Sequence, residues 1–145
     1  MPATTRHDPY KNFPFRVEID GVATSGFREV SGLSAEAQVI EYREGSDTTT
    51  VRKLPGLIKY PNVTLRRGLT QSHELYDWWM TVVNGNLQRR HVQIVLLDDA
   101  RRDVVRWTLQ EAWITKFEFG DLDAEGNDVA IETIELVHER LELVT

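Results

Sequence analysis

Apolar residues recur at every second position through much of the chain, and that period admits few folds. Phe13, Phe15, Val17 and Ile19 share one face of a short segment, with Arg16 and Glu18 on the other. This is the pattern of a strand buried on one side. Asp20-Gly21 follows, a two-residue hairpin signal. Residues 22–30 return, interrupted at Ser25-Gly26, where a bulge or bend fits. Residues 36–43, 62–67, 91–97, 104–110 and 112–119 read as further strands. Val105, Trp107 and Leu109 share a face in one of these, and Trp113, Phe117 and Phe119 in the next. Residues 129–144 are long for one strand, and their alternation slips between Val129-Ile131 and Ile134-Leu136. A bulge near Thr133 would account for the slip, as would burial of both faces. A chain with about seven or eight strands must close into a barrel, pack as a sandwich or recruit a neighbour, because open edges invite aggregation.

One segment breaks the pattern. Leu75, Trp78, Trp79, Val82 and Val83 fall at helical spacing, with Glu74, Asp77 and Thr81 opposite. Thr70 or Ser72 can cap this helix, and Asn84-Gly85-Asn86 ends it. Leu75, Trp78, Trp79 and Val82 are expected as anchors that lay the helix across a sheet or barrel end.

Residues 40–69 organise the rest. Ile40 and Tyr42 alternate with charged neighbours, and Val63-Thr64-Leu65 is β-branched and apolar. Between these strands, residues 44–56 show no apolar periodicity, and Pro55-Gly56 gives a turn signal. A loop this long inside a compact domain is functional or disordered. Thr48, Thr49, Thr50 and Val51 favour an extended chain, so the segment can order against a partner.

Catalytic patterns are missing from the sequence. His7, His73, His91 and His138 have no metal-ligand spacing, and Ser34, in Gly32-Leu33-Ser34-Ala35-Glu36, lacks the second glycine of a nucleophile elbow. With no cysteine there is neither disulfide nor thiolate. Asp121, Asp123, Glu125, Gly126 and Glu132 nearly fit a calcium loop. Their flanks read as strands where helices are needed, so an acidic turn is the simpler reading and no metal is expected. A formal net charge of −6 argues against general nucleic-acid binding, which needs Lys and Arg to neutralise phosphates. The pairs Arg66-Arg67, Arg89-Arg90 and Arg101-Arg102 read as solvated strand ends. No apolar run is long enough to span a membrane. The polar N-terminus lacks a signal-peptide core, so synthesis and residence in the cytoplasm are expected.

The ordered set EYREG, VRKLPG and KYPNVTLRRGLT, with Trp78 close behind, resembles the tail-tube proteins of contractile phages and phage-derived injection systems. Upstream the resemblance runs through FRVEIDGVATSGFREVSGL, and downstream through QEAWITKFEFGDLDAEGNDVAIETIELVHERLELV. Ile114 and Arg140 depart from the family pattern, which often has proline and glycine there. The resemblance implies a mainly β fold, a small β-barrel or sandwich with one flanking α-helix, whose strands join a shared barrel around a ring. It implies one domain over residues 1–145, with an N-terminal arm at 1–12 and a protruding loop at 44–56. It implies no enzyme and no cofactor, but an inner-tube protomer: hexameric rings stacked into a hollow tube and expelled by sheath contraction. The implied partners are further copies, the contractile sheath protein, baseplate or spike and tube-terminating proteins, and cargo in the lumen. The particle is a phage tail or an injection machine. Gly45, Ser46, Asp47, Thr48, Thr49, Thr50, Val51, Arg52 and Lys53 are the expected contact between rings. The contrasting expectation is a monomeric small β-barrel that holds a ligand among its aromatic residues.

Overall fold

The computed structural model describes residues 14–24, 26–46, 49–126 and 128–144. The arm expected at residues 1–12 lies outside these, as do Phe13, Ser25, Asp47, Thr48, Asn127 and Thr145. The described residues form β1 (Phe15–Ile19), β2 (Val22–Thr24), β3 (Phe27–Ser31), β4 (Glu36–Tyr42), β5 (Arg52–Lys59), β6 (Val63–Gly68), α1 (Glu74–Val83), β7 (Arg90–Leu97), β8 (Asp103–Phe119), β9 (Ile131–Val137) and β10 (Arg140–Val144). The fold is mainly β with one helix.

Every strand pair is antiparallel. The main sheet runs β2-β1-β7-β8-β9-β6-β3, and β10 also pairs with β8. Among the described residues it does not close into a barrel. The strand β8 serves two sheets: its first half lies between β7 and β10, its second half beside β9. Two separate strands were expected here, and one bent strand is found. The bend has a local cause. Glu111 has φ +55°, and Gln110 with Glu111 faces only His91 across the ladder. A two-against-one bulge kinks a strand and adds twist, so β8 turns from one sheet into the other. A second irregularity between Ile114 and Lys116 reverses the alternation. Phe117 therefore joins the face of Ile114, not that of Trp113 as its spacing had suggested.

The first turn follows its sequence. Asp20 and Gly21 have φ +50° and +80° and join Ile19 to Val22 directly, the twist a two-residue hairpin needs. The phase slip after Val129 has another origin than a bulge at Thr133. In β9 Glu132, Ile134 and Leu136 alternate regularly and are buried; the chain then breaks at His138 and Glu139 before β10. The slip arose because a charged residue occupies an inward position.

The core draws on both sheets and the helix. Val17, Ile19, Val63, Leu65, Val92, Ile94, Leu109, Ala112, Ile114, Ile134 and Leu136 meet Leu75 and Trp78 there. Each buried side chain of Leu, Ile or Val size contributes about 1.5–3 kcal/mol. The helix begins at Glu74, and its N-cap His73 makes no side-chain cap, so neither Thr70 nor Ser72 caps it. Thr70 instead accepts the Ser72 backbone N–H. At the other end Gly85 has φ +74°, and its N–H and that of Asn86 bond back to Val82 and Thr81, closing the helix as glycine there allows.

Candidate functional site

The expected loop at 44–56 is shorter than its sequence suggested, because β5 begins at Arg52 and runs through Pro55-Gly56. With β4 it makes a two-stranded ribbon apart from the main sheet. Pro55 does not turn the chain. It faces Val39 beside a bulge, where Gly56 and Leu57 oppose the single residue Gln38. Edge strands and bulges are where a residue without an N–H is tolerated. A side chain at Gly56 would press on the Gln38 backbone carbonyl and on Ile40.

Every residue of β4 is exposed, and every residue of β5 but Gly56. Directly opposed residues share a face of a ribbon. One face carries Ile40 with Leu54 and Tyr42 with Arg52; the other carries Val39 with Pro55, Ala37 with Ile58 and Glu41 with Lys53. Both faces are thus apolar at the centre. Leu57 is 75% exposed and Val39 63%. A monomer leaves such clusters uncovered at a cost in solubility, so patches of this kind mark interfaces. Of the expected contact residues, Arg52 and Lys53 open β5 and pair with Tyr42 and Glu41. Gly45, Ser46, Thr49, Thr50 and Val51 belong to the tip, and all five are exposed.

The hairpin is anchored at its root. Gly32 lies so close to Asn62 that a Cβ would collide with the Asn62 carbonyl. The Asn62 amide donates to Glu135 at 2.7 Å. Imidazole Nε2 of buried His138 sits 3.1 Å from the Pro61 carbonyl, to which it donates, and its ring lies 5.6 Å from that of Tyr60. Both strands of the hairpin therefore leave one fixed point on the main sheet.

Among the helix residues, Leu75 and Trp78 are fully buried, Trp79 and Val82 partly, and Val83 is exposed despite its place in the stripe. The Trp78 indole N–H donates to the Gln88 carbonyl at 2.8 Å, and the Arg90 guanidinium lies 5.3 Å from its ring centroid. Trp79 stacks on Phe117 at 6.5 Å.

Arg67 is not the solvated strand end that its sequence position suggested. It is 1% exposed, and it pairs with Glu132, itself 3% exposed. It also donates to Glu74 at 3.2 Å and to the Ser72 carbonyl at 3.5 Å, and lies over the Phe27 ring. One side chain thus joins β6, β9, β3 and the start of α1. The signal was present: Val63-Leu65-Arg67 and Glu132-Ile134-Leu136 put opposite charges at inward positions of two strands. Glu132 is also the last ligand the calcium-loop pattern would require, and its carboxylate is committed to Arg67 instead. Asp123 turns the acidic loop by accepting the Glu125 N–H.

The outer face of β1, β7 and β8 carries a charged lattice. Arg16 bonds Glu18 and Asp103, and Arg106 bonds Glu18, Gln93 and Asp103. Burial pushes the Glu18 carboxyl up, but the hydrogen bonds from Arg16 and Arg106 outweigh this and hold it below the usual range. The hydrogen bond from Arg16 depresses Asp103 in the same way.

Comparison with known proteins places this geometry. The family model described as T4-like virus tail tube protein gp19 matches residues 11–142. A chain of the sheath–tube complex of an extracellular contractile injection system, PVC, in its extended state superposes with TM-score 0.84 at 29% identity, covering 94% of this chain and 91% of that one. A chain of the anti-feeding prophage tube-terminating cap gives TM-score 0.86 at 26% identity, covering 99% and 96%. Hcp1 from Flavobacterium johnsoniae, at 15% identity and TM-score 0.61 over 90% and 94%, shares the fold. None of the curated protein sequences compared matches the chain.

Proposed function

Because the chain belongs to the T4-like virus tail tube protein gp19 family, we propose that it is the inner-tube protomer of a contractile injection system, built into hexameric rings that stack as a hollow tube. The tube runs inside a contractile sheath, starts on a baseplate or spike, ends at a terminator, and has a lumen open to cargo. Chains similar to this one come from a sheath–tube complex, a baseplate and a sheath/tube terminator, which supports those partners. The work is assembly and not catalysis; the particle is a phage tail or an extracellular injection machine, put together in the cytoplasm. Residues 1–145 act as one unit in it.

The observation that carries this reading is the β4–β5 hairpin. A ribbon apolar on both faces and set apart from the main sheet is unfavourable for a lone subunit, and it supports contact between rings through residues 45–53 and the strands behind them. A monomeric ligand-binding barrel is not favoured, since the sheet is open. The test replaces residues 38–57 by an Asn-Gly turn. The root lies outside the deletion, so a folded subunit with unchanged near-ultraviolet circular dichroism is expected. Negative-stain microscopy should then find rings without tubes. Tubes of normal length would refute the assignment of stacking to the hairpin.

A further inference from the structure

We infer that the cleft where the ends of β6 and β8 meet the start of α1 is a seat for one small organic cation, an alkylguanidinium. Nothing in the tube reading requires such a site, and the inference stands apart from it. Two backbone contacts gather the elements. The Leu69 N–H bonds the Ala130 carbonyl and the Gly120 N–H bonds the Ile131 carbonyl, which brings the ends of β6 and β8 to the start of β9. The cleft left between them and the helix has a volume of about 430 Å³, ample for a small ligand. Its walls include Leu69, Thr70, His73, Tyr76, Phe119 and Glu132.

The carboxylate of Glu132 supplies the first argument. Of those six residues it alone is buried. Among the described residues its one donor is Arg67, and that bond joins Nε to Oε1 alone. A guanidinium commonly holds a carboxylate with two parallel N–H bonds. Here Nη1 is turned to Glu74 and Nη2 to the Ser72 carbonyl. Oε2 of Glu132 is thus left without a donor, and one cation is shared by two carboxylates. A buried carboxylate that is poorly solvated gains from a further charged donor, and the cleft beside Glu132 is where one can enter.

The rings supply the second argument. Tyr76 and Phe119 each make an edge contact with Phe117, at centroid distances of 5.9 and 4.9 Å. They are held in place by it, yet Tyr76 stays 42% and Phe119 53% exposed. An aromatic face attracts a cation, and a flat, weakly hydrated guanidinium stacks there better than a compact ammonium. Exposed Leu69 offers apolar surface to an alkyl stem. A buried carboxylate oxygen, two open rings and an aliphatic neighbour together select a cation on an apolar stem and disfavour an anion.

Calorimetric titration of the full chain with n-butylguanidinium tests the seat. One saturable site per subunit is expected. n-Butylurea has the same flat head and stem without the charge, and it should bind about tenfold more weakly or not at all. Phe119→Ala and Tyr76→Ala each remove an exposed ring, and each should weaken binding about fivefold; melting temperature checks that both fold. Glu132→Gln would strand the Arg67 charge and endanger the fold. The carboxylate is therefore tested in the chain carrying both Arg67→Met and Glu132→Leu, where binding should be lost. The two ring variants keep the test decisive should that chain not fold. Uptake that does not saturate, equal binding of the urea and the guanidinium, or unchanged affinity in both ring variants overturns the inference. Binding that survives in a folded chain with both Arg67→Met and Glu132→Leu overturns it as well.

Discussion

At the scale of single residues, stability depends on two buried side chains with unlike demands. Trp78 fills the space between α1 and the sheet and satisfies its indole N–H on Gln88. Trp78→Ala should cost about 3–5 kcal/mol by denaturant titration, as for other fully buried large aromatics. Trp79→Ala should cost less, because its ring is only half-buried against Phe117. Arg67 and Glu132 differ in kind. A buried ion pair adds little over an apolar pair of the same volume, but removing one partner strands a charge. Arg67→Met should therefore destabilise by about 3–5 kcal/mol, while Arg67→Met with Glu132→Leu should recover a large part of that loss. Equal losses in the single and double variants would show that packing, not the charge, sets the effect.

Among the elements, β1, β7 and β8 are tied on their outer face by the Arg16, Glu18, Asp103 and Arg106 lattice. The carboxyls of Glu18 and Asp103 are both held below the usual carboxylate range. The depressed carboxyls contribute stability at pH values above their unfolded range, near 4, and lose it as pH falls through their folded values. The melting temperature should thus decline below about pH 4, and Arg106→Ala should flatten that decline by releasing Glu18. Added salt should have a modest effect, because Asp103 is exposed and pairs to an exposed group are worth little. A decline of the same steepness in wild type and variant would place the acid sensitivity elsewhere.

For the whole molecule, the subunit has a covered core and uncovered extremities. Among the described residues the main sheet ends in the edge strands β2 and β3, the hairpin shows apolar side chains on both faces, and Phe119, Leu122 and Val129 are exposed. Such a subunit favours assembly, since burying apolar area contributes roughly 25 cal/mol per Å². Shortening the hairpin removes that term from the assembled state while leaving the core untouched, so assembly and subunit stability should respond separately. Thermal unfolding of dilute, ringless protein should show little change on shortening the hairpin, whereas the protein concentration needed for tubes should rise steeply.

The alternation of apolar and polar residues determined the strands, the Asp20-Gly21 hairpin and the amphipathic helix, because these depend on neighbours within a few residues. It also showed that residues 40–69 hold something other than core. Tertiary structure decided the rest. Arg67 and Glu132 stand 65 positions apart, and nothing local reveals that two inward-facing charges will meet. Pro55 reads as a turn in isolation, and only an edge ribbon with a bulge opposite Gln38 lets it sit within a strand. Residues 104–119 read as two strands, and the left-handed Glu111 made them one by carrying the chain across the corner between two sheets. Sequence fixes what each segment can bury, and the assembled sheet determines which of those faces finds a partner within the same chain and which is left for another copy.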